Sequence, residues 1–147
     1  MYVADLTQHG PIKSVGYLAQ GHDYSRGEVP EQVFDRLITL VKAHIKLHIL
    51  HYMGYHSCDL EPCGSNQPQP ELLYHGQVIP RTCRSDLVVP DKGVIYMAPS
   101  LIMHYIRRHH YLPPVCFLEA VINCPEPGSQ EYLALVEKVW PSPVPFW

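Results

Sequence analysis

The chain lacks the marks of a membrane or exported protein. Among its 147 residues no run reaches the roughly 18 apolar residues that a membrane span needs. The first residues, Met1-Tyr2-Val3-Ala4-Asp5-Leu6, show no basic stretch followed by an apolar one, so no secretory signal is evident. The expected location is the cytoplasm. Charge is scarce, at 17% of residues, and there is no basic excess: 11 Lys and Arg face 14 Asp and Glu, a net charge of −3 with histidines neutral. That argues against a domain dominated by contacts to a phosphate backbone. Catalytic signatures are missing too. There is no glycine-rich phosphate loop, no Gly-x-Ser-x-Gly elbow and no His-Glu-x-x-His. The zinc deaminase pattern is also absent, and Glu61-Pro62-Cys63 only echoes it. No internal repeat and no interdomain linker is seen.

What is present is a globular composition, with 46% hydrophobic residues. A chain of this length fits one domain, burying roughly 70% of the surface that it exposes when unfolded. Ten histidines and fifteen prolines are the compositional oddities. The histidines make charge sensitive to pH between about 5 and 8. The prolines cut the chain into short elements. Five cysteines are an odd number, and in a reducing compartment they are thiols or ligands rather than a disulfide framework.

Ser14 to Ala19 reads as a short strand, and Gly21 to Gly27 as a turn. Val33, Leu37, Leu40 and Val41 share one face at helical spacing, which predicts a helix over 31–43 behind Pro30. Ile45, Leu47 and Ile49 then alternate with more polar neighbours and predict a strand running toward Met53. His44 and His48 would pair at i, i+4 on a helix, but this predicted change of structure falls between them. Further strands are expected over 71–78, 85–89 and 93–97, the last behind a turn at Pro90-Asp91-Lys92-Gly93. Pro99 opens a helix carrying Leu101, Ile102, Tyr105 and Ile106 and ending near Arg107-Arg108-His109-His110, cations suited to a helix C-terminus. Pro113-Pro114 starts another, ending at Cys124. Ser129 caps a last one. Strands grouped before helices predict a single α+β domain over 1–140, with a mostly antiparallel sheet and helices packed on one face. The Pro-rich tail, 141–147, is expected to run extended, with Phe146 and Trp147 packing back on the domain or meeting a partner.

The chemistry concentrates in Gly54-Tyr55-His56-Ser57-Cys58 and, five residues on, Cys63. If His56 and Cys58 end a strand, the period of two points them to one face. The Asp59–Pro62 segment can then turn Cys63 back toward them. Imidazole and thiolate suit zinc, and a closed structural site needs a fourth donor. Cys124, His104, Cys83 and His22 are the candidates, with Cys124 or His104 preferred. The competing reading treats His56 as an ordinary polar residue and the cysteines as small apolar ones. A catalytic zinc would need an open position and a nearby base, for which only Glu61 and Glu71 offer themselves. The Arg107-Arg108-His109-His110-Tyr111 segment is a short basic-aromatic patch that could touch nucleic acid. As a solvent-facing helix end with Tyr111 packed beneath it, the patch has a plainer explanation.

Several segments together resemble a known family. They are Val15-Gly16-Tyr17-Leu18 with Gly21-His22, the His56-Ser57-Cys58 segment, Gly93-Val94-Ile95-Tyr96-Met97-Ala98-Pro99, Leu101-Ile102-Met103-His104-Tyr105-Ile106, and His110-Tyr111-Leu112-Pro113-Pro114. The pattern is similar to an uncharacterised family of small bacterial proteins, frequent in actinobacteria and myxobacteria, over roughly residues 2–125. The resemblance implies that His22, His56, Cys58 and His104 are shared positions. It also implies that Cys63 stands for the family's second thiol, across a longer gap. It brings no activity with it.

The function expected from the sequence is a small zinc-stabilised binding or regulatory module that acts through contact with a protein partner. The metal ligands would come from His56, Cys58, Cys63, Cys124 and His104. The alternatives are a zinc-dependent hydrolase or transferase with His22 or His104 lining its cleft, and weak nucleic-acid binding.

Overall fold

The computed structural model describes residues 2–47, 51–64 and 70–140. In chain order the elements are β1 (Thr7–His9), β2 (Ile12–Ser14), α1 (Glu31–Leu47), β3 (His51–Ser57), β4 (Leu72–Tyr74), β5 (Gln77–Ile79), β6 (Thr82–Asp91), β7 (Val94–Pro99), α2 (Ile102–His109), α3 (Val115–Asn123) and α4 (Gln130–Val139). Five strands form one sheet in the order β1-β2-β7-β6-β3, and β4-β5 stand apart as a hairpin. Among the described residues only β2 and β7 pair in parallel; the other ladders are antiparallel. The class is α+β, in one domain.

The long strand β6 is the spine. Leu87, Val88, Val89 and Pro90 are all buried along it, the continuous apolar run of a strand covered on both faces. Helices α1, α3 and α4 contact it. From α1 come Phe34, Leu37, Leu40 and Val41, from α3 Phe117, Ala120 and Val121, and from α4 Tyr132 and Val136, none more than 1% exposed. A polar rivet crosses this core. His44 Nδ1 donates to the Leu40 carbonyl at 2.7 Å, and its Nε2 accepts from the Val88 amide at 3.0 Å. Those partners fix the neutral tautomer, and burial depresses the His44 pKa. The Tyr132 hydroxyl donates to the Val88 carbonyl beside it at 2.7 Å.

Three predicted elements differ in the structure. The first helix runs through Ile45 and Leu47, both about half exposed on it. Three alternating residues are too few to set a strand against a helix already favoured by Lys42, Ala43 and Lys46 and anchored by His44. The strand expected over 71–78 is a hairpin, turning at His75 and Gly76 with φ of 47° and 79°. Two left-handed residues make the tight turn that matches strand twist. The strand expected over 14–19 is shorter and earlier, with only an isolated bridge from Tyr17 to Val3 beyond it. Cys83 lies in β6, which begins three residues before the strand expected over 85–89. His48 and the 141–147 tail lie outside the described residues. As expected, the Ser129 hydroxyl caps α4, accepting from the Tyr132 amide at 3.2 Å.

Candidate metal centre

Strand β3 ends at Ser57, opposite Thr82 of β6. Cys58 therefore leaves the ladder, held by its amide donating to the Arg81 carbonyl at 3.0 Å. The chain then turns back on itself. Leu60 is buried as the plug of this loop, and the Gly64 amide closes it on the Leu60 carbonyl at 2.9 Å. Gly64 sits so near the Asp59 carbonyl that any Cβ would collide with backbone. This tight closure returns Cys63 to Cys58.

Helix α2 supplies the other half. It is buried along most of its length, through Ile102, Met103, His104, Tyr105, Ile106 and His109. His104 and His109 are 2% and 5% exposed, with ring centroids 5.1 Å apart. The helix end is fixed from outside. Tyr24 donates its hydroxyl to the His109 carbonyl at 3.1 Å, the Gly27 amide bonds the His110 carbonyl, and the chain leaves through a left-handed His110 at φ 54°.

Cys58, Cys63, His104 and His109 thus meet, with one candidate donor atom from each lying within 4.8 Å of the others. Cys58 Sγ is 3.3 Å from His109 Nε2, and Cys63 Sγ is 3.4 Å from His104 Nε2 and 3.5 Å from His109 Nε2. In a tetrahedral zinc site with Zn–S of about 2.3 Å and Zn–N of about 2.05 Å, the S···N edge is about 3.6 Å. The three S···N separations are therefore within a few tenths of an ångström of such an edge. Without a cation these thiols and imidazoles can share only weak S–H···N or N–H···S contacts. They are a possible metal-binding cluster.

The electrostatics fit. Burial, followed by His109, Arg108 and Arg81, holds His104 down to about 4. Burial, then Arg108, Arg26 and His110, does the same for His109, also to about 4. Both imidazoles are neutral at neutral pH, the form that ligates. Burial above all pushes the Cys58 thiol up to about 12. Its proton would leave only for a cation, which deprotonates a coordinating thiol outright.

Of the residues singled out in the sequence, the structure brings together Cys58, Cys63 and His104. His56 and Cys124 lie elsewhere. His56 is exposed on β3 opposite Cys83, and lines a separate cavity of about 380 Å³ with His9, Tyr17, Asp59, Asp86 and Tyr105. The period of two fails because the strand stops one residue before Cys58. Cys124 ends α3 as a buried thiol 3.2 Å from the Pro125 carbonyl, while its own carbonyl accepts from Arg36 on α1. His22 is exposed and stacks on Tyr2 at 3.9 Å. His109 was not foreseen. It read as one of several cations at a solvent-facing helix end, whereas the structure buries it. Its spacing from His104 is i, i+5, about 140° around a helix, which face patterns do not flag.

The chain belongs to a family defined by a domain of unknown function (DUF7919), whose model matches residues 1–122. That span includes all four cluster residues. No curated protein and no solved structure matches the chain.

Proposed function

We propose that the protein is a zinc-stabilised binding module whose metal is structural, held by Cys58, Cys63, His104 and His109, and whose task is contact with another protein. The observation that carries this is the convergence of four donors, two from the 58–64 loop and two from α2. Four protein ligands complete a tetrahedron, the arrangement of structural zinc, whereas a catalytic zinc keeps a place for water. The metal would clamp the loop to the helix, and its binding energy would become folding energy, because the donors meet only in the folded chain.

The contact reading is supported by Leu73 and Val78, which face each other across the β4–β5 hairpin and are 57% and 53% exposed. Nucleic-acid binding through 107–111 loses support. Arg107 lies over the rings of Phe34 and Tyr74, at 5.3 and 4.6 Å from their centroids. Arg108 donates to the Pro70 carbonyl, and His109 and Tyr111 are buried.

The test is elemental mass spectrometry of untagged protein purified without added metal, beside Cys58→Ser. About one zinc per chain, lost together with thermal stability in the variant, is the expected result. Protein that carries no zinc and gains no stability from it would discard the reading. A zinc that binds with water in its coordination shell, shown by X-ray absorption, would favour the hydrolase or transferase alternative.

A further inference from the structure

Cys58 and Cys63 stand as a thiol pair as well as two of the four donors. Their Sγ atoms lie within 4.8 Å of each other, and the two thiols share a side-chain hydrogen bond. Both sulfurs also meet the same nitrogen, His109 Nε2, at 3.3 and 3.5 Å. A disulfide asks for an S–S bond of about 2.05 Å. The loop that carries the pair is closed by the Gly64 amide on the Leu60 carbonyl, which holds the sulfurs together before any bond joins them.

The two thiols differ in access. Cys58 is 6% exposed. Cys63 is half-buried, and it forms part of the wall of a cleft of about 380 Å³ between the β4–β5 hairpin, the start of β6 and α2. That cleft gives a small oxidant such as hydrogen peroxide a path to Cys63, with Cys58 behind it. An accessible thiol beside a second, resolving one is the arrangement of redox-sensing cysteines. Of the other cysteines, Cys83 and Cys124 are buried, and Cys116 is half-buried on α3 beside Tyr96.

We propose that Cys58 and Cys63 form a peroxide-sensitive pair, which closes into a disulfide and releases the metal from the clamp between the 58–64 loop and α2. The Cys63 thiolate attacks one peroxide oxygen; the O–O bond breaks, a sulfenic acid forms and hydroxide leaves. The Cys58 thiolate then attacks the sulfenic sulfur; the S–S bond forms and a second hydroxide leaves. The sulfurs lose two electrons between them, the peroxide gains two, and two protons from solvent turn the hydroxides into water. Disulfide sulfurs are no longer thiolates, the form that ligates. The metal then keeps only His104 and His109, two donors where a closed site has four, and dissociates. A dithiol reductant returns the two electrons and rebuilds the site. The packing of α1, α3 and α4 on β6 uses other residues, so the change falls on the loop and its hold on α2. Release of zinc rests on the metal reading, whereas the disulfide rests on the thiol geometry alone.

The experiment treats zinc-loaded protein with hydrogen peroxide beside an untreated control. A chromogenic chelator follows zinc. Mass spectrometry follows the tryptic peptide 47–81, which contains Cys58 and Cys63 and no other cysteine, before and after reduction with dithiothreitol. Expected is a peptide lighter by two hydrogens and about one zinc released per disulfide formed, both reversed by reduction, at a peroxide dose that leaves Cys116 a thiol. Two intact thiols, sulfinic acids in place of the disulfide, or Cys116 oxidised as fast as the pair would each overturn the proposal. The two readings fail separately. Protein that never takes zinc yet forms a reducible Cys58–Cys63 disulfide keeps the redox pair and discards the metal reading. Protein that holds its zinc through the treatment, with both thiols intact, does the reverse.

Discussion

Replacing His109 by asparagine is the sharpest probe of the candidate metal centre, because nothing in the local sequence marks this residue as a ligand. The substitution keeps a polar side chain of similar reach at a site 5% exposed and removes the imidazole lying 3.3 Å from Cys58 Sγ and 3.5 Å from Cys63 Sγ. Loss of a partner outside the ligand shell already costs a metal site about 10–100-fold in affinity. Loss of a ligand should cost at least the upper figure. At zinc 1,000 times the dissociation constant, binding adds about 4.1 kcal/mol of stability. A 100-fold weaker site under the same conditions adds about 1.4 kcal/mol, so the variant loses about 2.7 kcal/mol. For a domain of this size that lowers Tm by about 5–11 °C. The assay is thermal unfolding followed by circular dichroism with zinc buffered at a fixed free concentration, then with a chelator in excess. The difference between wild type and variant should be large with zinc and shrink toward zero without it. A gap that the chelator leaves unchanged would mean that His109 matters only as packing. No gap at all would remove it from the ligand set, and parallel substitutions at His56 and Cys124 would then show whether the donors come from there.

Other consequences follow from the same geometry. Gly64→Ala should push the 58–64 loop open and weaken zinc binding, because a Cβ there meets the Asp59 carbonyl; competition with a chromogenic chelator measures it, and unchanged affinity would show that loop closure does not set the site. Phe117→Ala removes a side chain with no exposure and should cost about 3–5 kcal/mol in denaturant unfolding, with zinc content per folded chain unchanged. Burial holds the folded pKa of His44 below its unfolded value of about 6.5. The folded state then binds fewer protons, so stability is full above about pH 6.5 and falls by up to about 1.4 kcal/mol per pH unit as acid carries the protein toward the folded pKa. In chelator-treated protein, His44→Gln should flatten part of that slope below about pH 6.5, and an identical slope in the variant would show that His44 contributes none of it.

How much of this was legible in the sequence follows the range of the interaction involved. Helix α4 could be read because Ser129 and Glu131 mark its start locally, and β7 because Gly93 turns the chain just before an apolar run. The class followed from element order, since strands grouped before helices leave few ways to bury both. Errors came where a local pattern was short and a distant contact decided. Ile45 and Leu47 alternate like a strand, yet His44, reaching β6 through Val88, keeps the chain helical past them. The hairpin at His75-Gly76 went unread because a histidine in the left-handed region is uncommon and His-Gly is not among the usual turn pairs. The candidate metal centre divides in the same way. Cys58 and Cys63 were visible because a seven-residue loop closes on itself. His104 entered as one of the two preferred among four candidates for a distant donor, and as a position implied by the family resemblance. His109 was invisible because its burial depends on Tyr24 and the 25–27 segment, more than 80 residues away in sequence, which hold the last turn of α2 in place. His56 and Cys124 were drawn in for the opposite reason. One is near in sequence and the other is a thiol at a helix end, but neither fact says which way the tertiary fold turns the side chain. In a chain with ten histidines and five cysteines, residue type nominates many ligands, and only the packing of α2 against the 58–64 loop chooses among them.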